Sequence, residues 1–451
     1  MIHHAPLFNR RIPRYTLPTL MAALALLLGN LEPNVEAQTD TPMNEFAERY
    51  VKLVLALGQH DPDSVDAYYG PEQWQVEAAT AGLPLDQIAD AADGLAEELR
   101  IGFEQDTSVP TPDAPARLRH QYLQRQLQAL AARVHMLTGR TLPFDDESDI
   151  LYDAVAPHRS ETYFSDTLIQ LERTLPGDGS LIDRYTAFRA EFEIPPDRIN
   201  HVFDAAIAEC RRRTLAHVDL PGEEEFSVEY VTDKPWSGYN WYQGGFRSLI
   251  QVNTDLPIHI DRAIDLACHE GYPGHHVYNV LLERHLVRDR GWPEFSVYPL
   301  FSPQSLIAEG TANYGIEITF SEEERLDFER DVLFPAAGLD GSRATRYYEI
   351  QALVARLDYA GNEAARRYLN GEIDRAAATN WLSQYALMDP ARAEQRTQFF
   401  DHYRSYVINY NLGKDLVAAF IERTSDGTNT GRWQAFTGLL ASPRLPSGLR
   451  E

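Results

Sequence analysis

Ala267-Cys268-His269-Glu270-Gly271-Tyr272-Pro273-Gly274-His275-His276 sets three imidazoles and one carboxylate within its last eight residues. Neutral imidazole and carboxylate are ligands for a divalent transition metal such as zinc, and a hydrolytic centre needs a carboxylate beside the metal to take a proton from water. In the usual helical arrangement two histidines stand four residues apart, one turn, so that both rings meet one ion. Here the second histidine follows His269 by six or seven residues. On an unbroken helix His276 would lie about 10 Å further along the axis, and His275 would point off the shared face. Pro273 removes that difficulty. It lacks an N–H and its ring clashes with the carbonyl four residues back, so the helix must bulge or kink between Gly271 and Gly274. A loop-out of about two residues returns His275 to the place of an ordinary second ligand. His275 is therefore the expected ligand and His276 the alternative.

Working outward, Phe226 to Asp255 is rich in β-branched and aromatic residues broken by Gly and Pro, which predicts strands over 227–231, 238–245 and 248–254 leading into the metal helix. An edge strand beside a hydrolytic site can take up an extended peptide through its backbone, with Asn253, Gly244 and Gly245 as candidate substrate contacts. A small sheet that only buttresses the helix fits the same residues. Elsewhere the apolar period is helical. It predicts helices over 43–57, 85–104 and 115–138, the last from Leu118, Tyr122, Leu127, Leu130, Val134 and Leu137. Asp66-Ala67-Tyr68-Tyr69-Gly70-Pro71 reads as a loop or helix end with packing tyrosines, and Arg211-Arg212-Arg213 as a solvated helix end. Downstream, Ser302-Pro303 opens a helix, Ser321-Glu322-Glu323-Glu324 is a capping box, and further helices are expected over 342–357, 362–369, 373–387 and 397–423. The expected fold class is mainly α, a large multi-helix assembly with a small β-sheet next to the metal-binding helix.

Two histidines need a third protein ligand, with one position left for water. Glu309 is the candidate, because its neighbours Ala308, Gly310 and Ala312 are small enough to let its helix approach the metal helix. Asn313 and Glu317 share its face and could orient a histidine ligand.

The chain has 451 residues, enough for one large helical domain or two lobes, and its 44% hydrophobic and 24% charged residues exclude a disordered or multi-span membrane protein. Residues 1–37 have the form of an export signal: Arg10, Arg11 and Arg14 precede the apolar run Leu20 to Leu28, and Val35-Glu36-Ala37 resembles a cleavage site. An uncleaved anchor is the alternative, and no cysteine closely follows the run to carry a lipid. The expected organisation is a signal peptide over 1–37, an N-terminal helical region over 38–220 and a catalytic region over 221–451, in the periplasm or secreted. The first 37 residues carry three Arg against two Glu, so the remainder stands at −27, one below the −26 of the whole chain. That acidity argues against nucleic acid and anionic membrane surfaces as partners, and no stable membrane insertion is expected after signal removal. Cys210 and Cys268 are the only cysteines and are expected as free thiols, with pairing left open.

His269-Glu270-Gly271-Tyr272-Pro273-Gly274-His275-His276 and Glu309-Gly310-Thr311-Ala312-Asn313-Tyr314 resemble the two signature motifs of the bacterial family called domain of unknown function 885. The Asp66 to Pro71 stretch, Val252-Asn253-Thr254 and Tyr410-Asn411-Leu412-Gly413 extend the likeness over most of the chain. That family in turn resembles the gluzincin metallopeptidases. The resemblance implies a gluzincin-like fold in which His269, His275 and Glu309 bind zinc, Glu270 is the general base, and Arg404, Tyr406 or Tyr410 stabilises the oxyanion. Many relatives have Gly-Gln shortly before the last tyrosine, where this chain has Ser405-Tyr406. The expected function is a zinc-dependent metallohydrolase acting on short peptides or peptide-like amides. A hydrolase of non-peptide amides, or a non-catalytic peptide- or metal-binding protein, are the alternatives.

Overall fold

Helices dominate because the apolar residues recur at helical spacing almost throughout, and the computed structural model bears this out: the fold is mainly α with two small sheets. It describes residues 41–105, 114–234 and 236–450, so the export segment expected over 1–37 lies outside the described residues. The predicted amphipathic segments appear as Thr41–Gly58, Leu85–Gln105 and Ala114–Leu137. Ser321 accepts from the Glu324 N–H while the Glu324 carboxylate accepts from the Ser321 N–H, completing the capping box. No described helix is long and apolar enough to cross a membrane.

Three strands follow one another as expected: β2 (Glu225–Val231), β3 (Gly238–Gly244) and β4 (Arg247–Asn253). β4 is central, parallel to β2 and antiparallel to β3, which leaves β3 at the edge. Sequence periodicity missed the other sheet. β1 (Val65–Tyr68) lies where a loop or helix end was expected, and it pairs antiparallel with β5 (Val297–Pro299). Each strand is four residues or fewer, too short to show alternation alone.

This pairing joins the two halves that the change in sequence character separates near residue 220. Arg119, on the Ala114–Leu137 helix, adds a bidentate pair to Glu294, with Nε to Oε1 at 2.6 Å and Nη2 to Oε2 at 2.9 Å, both side chains fully buried. Such a pair contributes little net stability but leaves a costly orphan charge when one partner is removed. The described residues from Thr41 onward consequently form one compact unit.

The Pro303–Thr319 helix runs between two apolar clusters, giving Ile307 and Ala308 to one and Leu306 to the other. Every residue from Pro303 to Ala312 is buried. Gly310 does not face the metal helix, as the small-residue pattern suggested. A Cβ there would come within 2.5 Å of the Gly413 backbone, so Gly310 and Gly413 together let the Ile408–Thr424 helix cross in contact. Gly315 is the residue that meets the metal helix, lying against Pro273.

The helix expected over 397–423 is divided into Pro390–Tyr403 and Ile408–Thr424. Arg404 takes φ 51° at the break, a conformation costly for a side chain with a Cβ. Three bonds to buried Glu147 offset the cost: Arg404 Nε donates at 2.7 Å, the Ser405 N–H at 3.1 Å and Ser405 Oγ at 2.6 Å.

Candidate metal centre

The helix expected to carry the metal ligands starts as Asp261–Leu266, widens into a π-helical turn over Ala267–Gly271, leaves the helix at Tyr272 and Pro273, and resumes as His275–Leu282. The Tyr272–Pro273 peptide is cis. The Tyr272 N–H donates to the Ala267 carbonyl at 3.1 Å and the Gly274 N–H to the Cys268 carbonyl at 2.9 Å, so the excursion folds back on the turn it left. A Cβ on Gly274 would come within 1.8 Å of the His269 carbonyl oxygen, which makes glycine obligatory there. The distortion expected from Pro273 is therefore present, and it returns His275 to His269: the two rings lie 4.7 Å apart, nearly perpendicular.

Donor atoms of His269, Glu270 and His275 lie within 4.8 Å of one another. Glu309 reaches the same pair, with Oε2 3.3 Å from His269 Nε2 and Oε1 3.8 Å from His275 Nε2. Two carboxylates thus flank the histidines, and their surroundings separate them. Glu309 is held below the usual carboxylate range: burial opposes this, but the two imidazoles and the Tyr406 hydroxyl, which donates to Oε1 at 2.8 Å, outweigh it. Its Oε2 is buried without a hydrogen-bond partner among the described residues, because the His269 contact is an ion pair by distance but is misaligned for a hydrogen bond. Glu270 is pushed up to about 7 by burial and by the charges of Glu309 and Asp66, against the pull of His269. Burial also drives His275 down to about 4, so it stands as the neutral imidazole that a metal takes. His269 is raised, since its pairing with Glu309 and the charge of Glu270 overcome burial.

Several expected site residues are turned elsewhere. His276, the alternative ligand, is wholly buried with both nitrogens engaged, Nε2 with Glu224 Oε2 at 3.0 Å and Nδ1 with Ser248 Oγ at 2.9 Å. Asn313 spends its amide on the backbone, donating to the Glu309 carbonyl at 2.9 Å and the Tyr410 carbonyl at 3.4 Å, so it is neither a ligand nor a partner of the histidines. Glu317 pairs with Lys414 at the surface. Arg404 is committed to Glu147 and cannot serve an oxyanion, and Tyr406 is committed to Glu309. Tyr410 alone of the three keeps a hydroxyl that bonds to no described residue while sensing the charges of Glu309 and Glu270. Asn253 organises the preceding loop, donating to the carbonyls of Lys234 and Trp236 and accepting from the Asp255 N–H, so it is not a free substrate contact. Gly244 and Gly245 form the turn between β3 and β4, where Gly245 donates to Glu283 and Gly244 lies against Tyr69. Their positive φ values of 74° and 63° explain the glycines.

Other residues took their place. Gly238 opens β3 directly over Glu270, since a Cβ there would lie 2.8 Å from Glu270 Oε1. Asn240 holds the Glu270 carbonyl at 2.7 Å. Tyr239 donates to Asp66 Oδ1 at 2.8 Å, and burial together with the charge of Glu309 pushes Asp66 up to about 7. No local signal marks Asp66, because only the β1 to β5 pairing brings it here.

Cys210 and Cys268 form a disulfide, against the expectation of free thiols. The Ile199–Leu215 helix packs on the metal helix and brings the two Cα atoms to 5.7 Å, within bridging range.

No family model matches the chain, and no curated protein matches it. Solved structures align with it over most of its length. The structure described as "the putative lipoprotein from Colwellia psychrerythraea" aligns with a TM-score of 0.51 at 13% identity, over 83% of this chain and 70% of that one. A "putative lipoprotein of unknown function from Shewanella oneidensis" aligns with a TM-score of 0.43 at 12% identity, over 84% and 75%. At such identities the first likeness concerns the fold alone.

Proposed function

We propose that this protein is a zinc-dependent hydrolase of short peptides or peptide-like amides, with His269, His275 and Glu309 as the metal ligands and Glu270 as the general base. The observation that carries this reading is the convergence of two histidines and two carboxylates with opposite proton affinities at a broken helix. The donor set fits a divalent ion: the Glu309 oxygen lacks a hydrogen bond, His275 is neutral, and repulsion among Glu270, Glu309 and Asp66 is what a cation relieves. When bound, the metal would supply Lewis acidity to the scissile carbonyl and lower the pKa of water. Glu270 takes the proton of the attacking water and delivers it to the leaving nitrogen, a role suited to a carboxylate titrating near neutrality. Tyr410 donates to the developing oxyanion. No further strand pairs with the outer edge of β3 among the described residues, and where that edge passes Glu270 it suits an extended substrate backbone. The disulfide and the form of residues 1–37 support export to an oxidising compartment, the periplasm or beyond.

The test is metal analysis of the purified protein together with Glu270→Gln assayed on a mixed peptide library. The variant is expected to keep its zinc and lose activity by about 10³-fold. Absence of metal from both proteins would sink the reading. Zinc in both, with the wild type inert on every peptide and amide, would leave a binding protein on this scaffold.

A further inference from the structure

Arg396 stands apart from the other cations near the site. It lies on the Pro390–Tyr403 helix with its guanidinium over the rings of Phe399 and Tyr410, at 4.7 and 5.6 Å from their centroids. Among the described residues nothing accepts a hydrogen bond from it and no carboxylate pairs with it, and its Nε is buried without a partner. Its neighbours differ: Arg392 donates to the Pro257 carbonyl and Arg404 is committed to Glu147. Arg396 is only half-buried: its Nε is closed off without a partner, and its outer nitrogens bond to no described residue, so the charge stays on an uncommitted group, since arginine does not shed its proton. Burial disfavours the charge of Arg396, and the carboxylates whose fields reach it, Asp358 and Glu309, make no direct contact with it. An anion arriving with the ligand would give this uncommitted guanidinium the partner that no described residue supplies. The Tyr410 ring links Arg396 to the reaction centre, because Tyr410 packs on Tyr406 at 5.8 Å and Tyr406 holds Glu309. In a chain of net charge −26 an anionic ligand would otherwise be repelled, so a lone guanidinium beside the site selects for one.

We infer that Arg396 is a substrate-binding residue that receives the C-terminal carboxylate of a short peptide, so that the protein cuts near the carboxyl end of its substrates and does not act on internal bonds of long chains. A planar guanidinium matches a carboxylate through two parallel N–H···O bonds, and Nε with one Nη supplies that fork. The inference rests on the peptidase reading above.

The experiment compares the tripeptide Ala-Ala-Phe as free acid and as C-terminal amide, with a glutamate-containing tripeptide amide as a third probe for side-chain carboxylates. The wild-type protein should favour the free acid over both amides by 10- to 100-fold in kcat/KM. Arg396→Gln and Arg396→Met should bring kcat/KM for the acid down to that for the amide, and Arg396→Lys should restore part of the preference. A merely structural role would lower acid and amide rates together. Equal cleavage of acid and amide by the wild type overturns the inference and leaves the peptidase reading standing. Preference for the glutamate amide over the free acid also overturns it. If no probe is cleaved, the peptidase reading fails on its own, and calorimetry of acid against amide on zinc-loaded Glu270→Gln decides the carboxylate site: an Arg396-dependent difference supports it, and equal binding rejects it.

Discussion

His275 and His276 are neighbours in the chain and face opposite environments. On the His275 side, Glu270, Glu309 and Asp66 surround two imidazoles, and among the described residues one Glu309 oxygen, the Tyr410 hydroxyl and the Arg396 guanidinium have no hydrogen-bond partner. On the His276 side every group is answered. Glu224 accepts from Tyr272 at 2.6 Å, from Arg211 at 2.6 Å and from His276, and Ser248 takes the other ring nitrogen. The same residue types are thus saturated on one face and left in deficit on the other. A satisfied buried network fixes a structure, whereas groups kept unsatisfied in a protein interior mark where something from outside is to bind.

The largest test of this contrast is the paired substitution. His275→Ala should abolish stoichiometric zinc binding and reduce activity at least 10³-fold, while His276→Ala should retain zinc and lose about 2–3 kcal/mol of stability by emptying a wholly buried ring site and removing one of the three bonds to Glu224. Metal analysis and urea denaturation of both variants read this directly. Loss of zinc in His276→Ala with retention in His275→Ala would exchange the two faces.

A smaller effect belongs to the disulfide, which staples the reverse face. Cys210→Ser should cost about 2–4 kcal/mol in urea denaturation, given a loop of 58 residues, and leave zinc content and kcat/KM near wild type. A loss of metal on breaking the bond would show that the two faces are coupled through Cys268.

The smallest is a pH effect. Burial holds His276 below its ordinary value, and the bonds from His276, Tyr272 and Arg211 hold Glu224 below its own in spite of burial. Both groups have depressed folded pKa values, so the stability they supply is complete above about pH 6.5 and is lost on acidification. Histidine contributes first, and the carboxylate below about 4.3. His276→Gln should therefore flatten the fall in urea midpoint between pH 6.5 and 5. An equal slope in both proteins would remove His276 from the linkage.

The residues within one helical span were largely legible before the fold was known. Pro273 forced the break because its chemistry is local, and Ser321 with Glu324 announced a helix start for the same reason. Glu309 was legible only in combination with the histidines, since its helix is buried on every side from Pro303 to Ala312 and gives no amphipathic face there. Gly238 and Arg396 carried no signal, and Asp66 only its place in the Asp66 to Pro71 stretch of the family likeness, because each depends on contacts between elements far apart in sequence. Arg404, Asn253, Gly244 and Gly245 were attractive by type and position, yet each is spent on a turn or a buried carboxylate that no local pattern reveals.

By itself the sequence determined a helical chain with one strand-rich insert, a helix that had to break at Pro273, and a set of side chains capable of holding a metal. Only the tertiary structure decided that His275 and not His276 meets His269, that Cys210 reaches Cys268, and that Asp66 and Arg396 border the site. The physical reason is angular as much as distant. Successive helical residues point about 100° apart, so where a broken helix resumes is set by what packs around it: Gly315 against Pro273, Ser248 and Glu224 against His276.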